Sequence, residues 1–322
     1  MITIKKKWLV VLLAVIMVLS FVGGTALAQE EYPAAPAIAA ELLRDAGVRQ
    51  LGPYVSAVAR ATGGPNAEFQ GLYKCDPEYR NAVRDFLVEQ GGVAFSPGYL
   101  SGMVLWLDAS AISEDDLDES RNVEHWRDES GKGNDATQGS TSARPTYKED
   151  AIGGLPAVEF KGSHFLAAAE SDSWDLDYIT IISVVQFNDL TNNRVIVNRS
   201  TAAKWVTYYY WHRDQHFRML VDPVQDNYFH ANKLPIQEPL TITGDYDGKS
   251  VNLWFDGVLQ DTHEFDNGGV ITKEEGGLYI GSLEGTSRFH KGYLAEIIIY
   301  NNALNDNDRE RVEEYLMDKY GL

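Results

Sequence analysis

The stretch VNLWFDGVLQD, residues 251–261, decides the fold, because it holds two short apolar segments separated only by Asp256-Gly257. An Asp-Gly pair between such segments predicts a two-residue β-hairpin turn of the type I′ kind. Comparable short segments lie on both sides of this hairpin. They are GMVLWLD (102–108), YITIISVVQF (178–187), RVIVN (194–198), WVTYYYWH (205–212), HFRMLV (216–221), PLTITGDY (239–246), LYIGS (278–282) and GYLAEIIIY (292–300). Many short strands with turn signals between them predict a mainly β protein, an antiparallel two-sheet sandwich.

Helical patterns flank the strands at both ends of the chain. Residues 38–98 carry apolar positions at helical spacing, which predicts a small helical segment of unknown role that docks on its neighbour. At the C-terminus, Asn305 and Asp308 predict the cap of a final helix that packs through Val312, Tyr315 and Leu316. The predicted organisation is a signal peptide (1–28), a spacer (29–37), the helical segment (38–98) and the sandwich (99–322).

The first 28 residues predict the compartment. Three lysines (5–7) precede an apolar run from Trp8 to Val22, and Ala26-Leu27-Ala28 stands before Gln29. This order is typical of a secretory signal peptide, here cleaved after Ala28. The alternative is an uncleaved membrane anchor, but the apolar run is shorter than the roughly 20 residues that a spanning helix needs. We therefore expect an extracellular or cell-surface protein whose mature chain does not insert into the membrane.

Charge and cysteine content restrict the partners. The chain has 28 Lys and Arg against 47 Asp and Glu, a formal net charge of −19 at pH 7. Such a charge repels nucleic acid and anionic membranes, and it favours neutral ligands or cations. The single cysteine, Cys75, permits no internal disulfide bond, so stability must come from burial of apolar side chains.

A series of sequence blocks follows in a fixed order through the strand-rich region. They are LWLDAS (105–110), WRDESGKGNDATQ (126–138), ARPTY (143–147), GGLPAVEFKG (153–162), LWFDG (253–257), LYIGS (278–282) and GYLAEIIIYNNALND (292–306). In this order they resemble a bacterial laminin G-like domain of the concanavalin A-like lectin/glucanase superfamily, over about residues 99–322. The resemblance implies a jelly-roll sandwich. It does not imply one function, because this fold hosts lectins, adhesion modules, lyases and glycosidases.

The stretch EDDLDE, residues 114–119, matches the E-x-D-x-x-E signature of the glucanases in this superfamily. There, two glutamates act as nucleophile and general acid/base, with their carboxyl groups roughly 5 Å apart. That signature lies on a strand and has apolar residues between the carboxylates, whereas here five of six positions are acidic and no alternation surrounds them. We therefore expect a solvated loop without a catalytic role.

The loop SGKGNDA, residues 130–136, has two interpretations. Gly131 and Gly133 can supply positive φ in a tight loop whose backbone Asp128 and Ser130 bond, and we favour this structural interpretation. The alternative is a cation site, because oxygen ligands cluster there and related domains often hold Ca²⁺. The sequence thus requires no cofactor, and Ca²⁺ remains a possible one.

Other catalytic signals are weak. The sequence contains no H-E-x-x-H and no G-x-S-x-G motif, and Cys75 has no histidine nearby in sequence. Glu296 shares a predicted strand face with Leu294, Ile298 and Tyr300, and apolar neighbours could raise its pKa. The resemblance places a glutamate there in many members without a claimed activity, so we expect a structural role.

The aromatic stretch WVTYYYWHRDQHF, residues 205–217, is the predicted recognition surface. One strand face would carry Trp205, Thr207, Tyr209 and Trp211, and the other Val206, Tyr208, Tyr210 and His212. We assign the first face to the core. The predicted ligand contacts are Tyr208, Tyr210 and His212, with Arg213 and Asp214 as hydrogen-bond partners in the following turn, because exposed Tyr suits sugar faces and protein contacts. The alternative is that the N-terminal helices simply cover these aromatic side chains.

Together these features predict a secreted, non-catalytic carbohydrate- or protein-binding module of the adhesion type, whose partner is a glycan or a surface protein. One alternative is a glycoside hydrolase or polysaccharide lyase of the same fold. The other is a structural subunit of a cell-envelope or extracellular assembly, which would self-associate.

Overall fold

The computed structural model describes residues 35–46, 48, 54–55, 58, 83–88, 93–199, 206–222, 233–266, 268–271 and 275–322. The predicted signal peptide, Cys75 and Trp205 lie outside these residues. The chain divides into two compact units, Met1–Phe95 and Ser96–Leu322. In the first unit, helix α1 (Ala35–Asp45) buries Ile38, Ala39, Leu42 and Leu43 on one stripe, and residues 83–88 are also helical.

The second unit is a sandwich of two antiparallel sheets, as predicted. Within the described residues, the first sheet has eight strands in the order β13-β12-β11-β7-β15-β5-β4, with β1 also paired to β15. These strands are β1 (Met103–Asp108), β4 (Thr146–Ile152), β5 (Leu155–Lys161), β7 (Ile179–Phe187), β11 (Pro239–Tyr246), β12 (Ser250–Phe255), β13 (Val258–Glu264) and β15 (Lys291–Tyr300).

The second sheet has seven strands among the described residues, in the order β10-β9-β8-β14-β6-β3-β2. They are β2 (His125–Trp126), β3 (Ala136–Thr137), β6 (Leu166–Ala168), β8 (Arg194–Arg199), β9 (Val206–Trp211), β10 (His216–Val221) and β14 (Leu278–Ile280). Several are short, and the inner faces of both sheets together form one core. Trp126 is fully buried in this core.

The predicted hairpin joins β12 to β13. Asp256 has φ 45° and Gly257 has φ 72°, so both turn residues adopt the positive φ that a type I′ turn requires. The Asp256 carboxylate also accepts a hydrogen bond from the backbone N of Thr241 at 2.7 Å, which ties the turn to β11. This part of the sequence prediction is confirmed.

The C-terminal helix α2 (Asp306–Tyr320) begins at the cap that the sequence predicts. The Asn305 side chain accepts a hydrogen bond from the backbone N of Asp308 at 3.0 Å, and Gly321 ends the helix with a left-handed φ of 68°. Val312 and Leu316 are fully buried. The helix packs on the outer face of the eight-stranded sheet, where the Arg309 guanidinium lies 4.4 Å from the ring centre of Trp254.

Candidate functional site

The faces of β9 are opposite to those predicted from the sequence. Tyr208 and Tyr210 point into the core between the sheets, with 0% and 3% of their surface exposed. Antiparallel pairing places Met219 opposite Tyr208 and Phe217 opposite Tyr210, so one apolar face continues across both strands. The Tyr208 ring also packs across the core onto Gly244, where a Cβ atom would come within 2.8 Å of it. The assignment of Tyr208 as an exposed ligand contact is therefore wrong.

Tyr209 and Trp211, which were assigned to the core, lie on the outer face of the seven-stranded sheet. The Arg288 guanidinium lies 5.7 Å from the ring centre of Tyr209 and 5.2 Å from that of Trp211, and Arg218 lies 5.3 Å from Trp211. Such guanidinium–aromatic contacts stabilise both partners. Only 2% of the surface of Tyr209 is exposed, so this side chain is buried. The outer face of β9 is rich in aromatic residues, but its Tyr209 ring is not accessible to a ligand.

The turn after β9 holds the other three predicted contacts. His212 is partly exposed, and its Nδ1 lies 2.7 Å from the side-chain oxygen of Asn193. Asp214 pairs with Arg218, while Arg213 is exposed. These contacts do not test whether the three residues bind a ligand. A binding role for His212, Arg213 and Asp214 therefore stays a prediction.

A pocket opens at the end of the sandwich where this turn lies. Its volume is about 630 Å³. Its lining residues are Asn188, Asp189, Leu190, Thr191, Tyr210, Gln215, Lys233, Leu234, Ile236 and Lys291. Tyr210 is the one predicted ligand contact among them. The sequence interpretation missed the others because they come from four separate stretches of the chain.

Strand pairing brings these four stretches together. Pro239 of β11 pairs with Gln186, and Gly292 of β15 pairs with Phe187, so residues 233–236 and Lys291 meet the end of β7. The backbone N of Asn188 donates to the carbonyl oxygen of Lys291 at 2.9 Å. The approach at Gly292 is so close that a Cβ atom there would lie 1.9 Å from the carbonyl oxygen of Gln186. Glycine at this position therefore allows β15 to approach the end of β7.

Asp189 organises the charged wall of the pocket. Its carboxylate accepts hydrogen bonds from the backbone N and hydroxyl of Thr191 at 2.8 and 2.6 Å, and from Arg194 and Lys291 at 2.9 and 3.0 Å. The Thr191 hydroxyl, with the two cations, lowers the pKa of Asp189 well below its usual range. This carboxylate is therefore ionised, and both of its oxygens are engaged.

The Tyr210 side chain joins the core to the pocket. Its ring packs beside Phe187, with ring centres 6.4 Å apart, and burial raises the pKa of its hydroxyl. Among the described residues, that hydroxyl makes no hydrogen bond, although the side chain lines the pocket. The Gln215 side chain, on the β9–β10 turn, is exposed in the same wall. These two groups can donate and accept hydrogen bonds to a ligand.

The acidic stretch 114–119 differs in part from its prediction. Glu114 and Glu119 are exposed, as expected of a solvated loop, but Asp116 is 1% exposed. Asp116 accepts hydrogen bonds from the backbone and hydroxyl of Ser113 and from Arg127, so it caps a short 3-10 turn. The expectation that the whole stretch is solvated is wrong at this position.

The glycine loop at 130–136 has the geometry of the structural interpretation. Gly131 and Gly133 have φ of 77° and 74°. The Asp128 carboxylate accepts from the backbone N of Trp106, Ser130 and Asn134, and from the Ser130 hydroxyl. Within the described part of the chain, no group of three or more His, Cys, Asp or Glu side chains could hold a metal ion. Calcium binding at this loop stays a prediction.

Glu296 is fully buried on the outer face of the eight-stranded sheet. A β-bulge between Leu294 and Glu296 turns Leu294 into the inter-sheet core, so the prediction that the two share a face is wrong. Glu296 receives hydrogen bonds from Trp106, Lys319 and Tyr320. These contacts place it between β1, β15 and α2, away from the pocket lining.

Comparisons with known proteins bear on the fold. No curated protein matches the sequence significantly. Among solved structures, domain 4 of AbnA, an extracellular arabinanase from Geobacillus stearothermophilus in complex with arabinotriose, has a TM-score of 0.48 and 15% identity, covering 64% of this chain and 95% of that one. A Trypanosoma rangeli sialidase in complex with sialic acid has a TM-score of 0.47 and 13% identity over 71% of this chain and 35% of that one.

The botulinum neurotoxin serotype G binding domain has a TM-score of 0.47 and 15% identity, covering 66% of this chain and 51% of that one. This chain thus spans about a third of the sialidase and half of the neurotoxin domain. At these TM-scores the similarities give no basis for a ligand or an activity. No helix among the described residues is long and apolar enough to span a membrane.

The sequence itself gives the stronger match. Residues 161–308 match the family model Laminin_G_3, described as concanavalin A-like lectin/glucanases superfamily. These residues run from the end of β5 into α2 and include most strands of both sheets. This match lies within the β-sandwich and is consistent with the laminin G-like domain of the concanavalin A-like lectin/glucanase superfamily that the sequence blocks resemble.

Proposed function

We propose that this sandwich is a secreted carbohydrate-binding domain and that the pocket at the end of β7, β9 and β15 holds a sugar unit. The observation that carries the proposal is the pocket's combination of size and lining. Its volume of about 630 Å³ lies within the range of small-ligand sites, roughly 300–1,000 Å³. Secretion rests on the signal-peptide pattern of residues 1–28.

The lining suits the two surfaces of a sugar ring. Leu190, Leu234 and Ile236 offer apolar contacts for the C–H face, and Ile236 is 54% exposed. The Tyr210 hydroxyl and the Gln215 amide can bond sugar hydroxyl groups, which are both donors and acceptors. An apolar lining with a few polar groups that fix orientation is typical of small-molecule sites.

The pocket differs in charge from the rest of the protein. The whole chain has a formal net charge of −19. In the pocket, Asp189 is balanced by Arg194 and Lys291, and Lys233 adds a further ammonium group. An acidic sugar therefore meets less repulsion here than elsewhere on this acidic surface.

The proposed role is non-catalytic. Glycoside hydrolysis commonly needs two carboxyl groups on either side of the bond that is cleaved. Asp189 is the one Asp or Glu among the described residues that line the pocket, and the hydrogen bonds of its neighbours occupy it. This supports binding over hydrolysis at this place.

A glycan array tests the proposal with a blocked-pocket variant. Thr191→Trp places a large side chain in the pocket wall, while Thr286→Trp makes the same change at an exposed threonine of another loop. The wild type and Thr286→Trp should bind the same glycans, and Thr191→Trp should lose them. Absence of binding by the wild type, or equal binding by all three proteins, would overturn the assignment. Release of reducing sugar from a bound glycan would show that the protein is an enzyme.

A further inference from the structure

Three ionisable side chains meet beneath the C-terminal helix, remote in sequence from one another. Asp108 ends β1, Glu296 lies in β15, and Lys319 belongs to the last turn of α2. The Lys319 Nζ atom is 2.6 Å from Oδ2 of Asp108 and 2.7 Å from Oε2 of Glu296. An amine, a carboxyl group that it could attack, and a second carboxyl group that could move protons are thus in direct contact.

The surroundings hold these groups in place and limit access of water. Glu296 is 0% exposed, and the side chains of Lys319 and Asp108 are 18% and 14% exposed. Trp106 donates from Nε1 to Oε1 of Glu296 at 2.6 Å, and the Tyr320 hydroxyl donates to Oε2 at 3.0 Å. The ammonium also lies 5.2 Å from the ring centre of Tyr320.

We propose that Lys319 and Asp108 become joined by an intramolecular amide bond, with Glu296 transferring the protons. Lys319 Nζ first gives a proton to Glu296, which passes it to the Asp108 carboxylate. The neutral amine then attacks Cγ of the protonated carboxyl group and forms the C–N bond. The nitrogen loses a second proton through Glu296 to the departing oxygen, the C–O bond breaks, and water leaves. Glu296 returns to its starting state, and no oxidant or co-reactant is consumed.

The environment favours this sequence of proton transfers. Burial raises the pKa of Glu296, which makes it a better proton acceptor than an exposed glutamate. Burial alone would lower the pKa of Lys319, but Glu296 and Asp108 outweigh it and raise that pKa, so the amine starts as an ammonium ion. Proton transfer must therefore precede attack. Fixed groups in near-attack contact react as if at very high concentration, and exclusion of water favours the amide product.

The proposed amide bond would be a covalent cross-link in place of a disulfide bond. The single cysteine permits no internal disulfide bond. An amide between Asp108 and Lys319, which are 211 positions apart, would join the first strand of the sandwich to its last helix. Such a link restricts the unfolded chain in the way that a disulfide bond does.

Intact-mass measurement of the full secreted chain tests the proposal. The measured mass of the wild type should be one water below the mass calculated from its sequence. Lys319→Arg and Glu296→Gln should have their full calculated masses. Lys249→Arg, at an exposed lysine paired with Glu264 3.6 Å away, should still lose water. Peptide mapping should recover one branched peptide that contains both Asp108 and Lys319.

Two results would overturn the proposal. The first is a wild type with the full mass of its sequence. The second is loss of water in Lys319→Arg, or a branched peptide that lacks either residue. Should the variants fail to fold, the wild-type mass and the branched peptide decide alone. Cyclisation of an N-terminal glutamine removes ammonia rather than water, so it does not imitate the expected result.

Discussion

Removal of one hydroxyl group from Tyr210 separates a pocket contact from a core residue. Tyr210→Phe keeps the ring, which packs beside Phe187, and removes only the hydroxyl, for which the described residues supply no hydrogen-bond partner. Tyr208→Phe is the matched control, because Tyr208 lies two residues away on the same strand face and is fully buried. The first change should weaken sugar binding, and the second should not.

The size of the effect follows from a single hydrogen bond. A typical hydrogen bond contributes a net free energy of about 0.5–1.5 kcal/mol. Because about 1.4 kcal/mol corresponds to a tenfold change in affinity, Tyr210→Phe should raise the Kd roughly 2- to 10-fold. Truncation to alanine is unsuitable at either position, because loss of a buried aromatic ring costs about 3–5 kcal/mol of stability.

Titration calorimetry with a glycan from the array gives both dissociation constants, and thermal unfolding reports the fold of each variant. The expected result is weaker binding by Tyr210→Phe, unchanged binding by Tyr208→Phe, and melting temperatures near that of the wild type for both. Normal binding by Tyr210→Phe would refute the role of its hydroxyl. Equal loss in both variants would show that the effect passes through the core.

Four further predictions concern stability and processing. Burial raises the pKa of Asp245 to about 7, above its usual 3.8, so the wild type should lose stability as pH rises from about 4 to 7. The free energy of unfolding of Asp245→Asn minus that of the wild type, measured in urea, should be up to roughly 4 kcal/mol larger at pH 8 than at pH 4. A difference that does not change with pH would contradict this. Burial lowers the pKa of His290 to about 3, so its neutral form contributes stability above about pH 6.5 that is lost as pH falls towards 3. In His290→Leu, the free energy of unfolding should therefore fall less steeply as pH falls towards 3. An unchanged fall would count against the assignment. Gly292→Ala should lower the free energy of unfolding by at least about 1 kcal/mol through backbone collision, whereas Gly139→Ala, with no atom within 4 Å of its Cβ position, should not. Mass spectrometry of the N-terminal peptide of the secreted protein should show that it begins at Gln29, and retention of Met1 would disprove cleavage.

Much of the fold could be predicted because its signals are local. The Asp256-Gly257 turn fixes a hairpin, and a two-residue period identifies strands without knowledge of their partners. The final helix likewise has its cap and stop signals, Asn305 and Gly321, beside it in sequence. Local geometry of this kind depends on neighbouring residues and is therefore visible in the sequence.

The orientation of β9 could not be read from that strand alone, because both of its faces are aromatic. The next strand holds the missing signal. A four-residue turn pairs Trp211 with His216, which puts Phe217 and Met219 beside Tyr210 and Tyr208, and Arg218 beside Tyr209. Apolar partners select the face that enters the core, so the pair of strands predicts what the single strand does not.

The pocket and the cluster around Glu296 depend on contacts between distant parts of the chain. Lys291 and Asp189, which share a hydrogen bond, are 102 positions apart in sequence. Trp106 and Glu296, which share another, are 190 positions apart. Sheet order decides which loops meet, and one β-bulge decides which way Glu296 points. Neither the strand order nor the bulge has a signal in the local pattern.

The central claim is that a sugar binds in the pocket beside Tyr210, and a crystal structure of the protein with a glycan selected on the array tests it most directly. The account predicts density for a sugar ring among Leu234, Ile236 and Gln215, with one sugar oxygen within hydrogen-bond distance of the Tyr210 hydroxyl. Density on the outer face around Trp211, with an empty pocket, would contradict it.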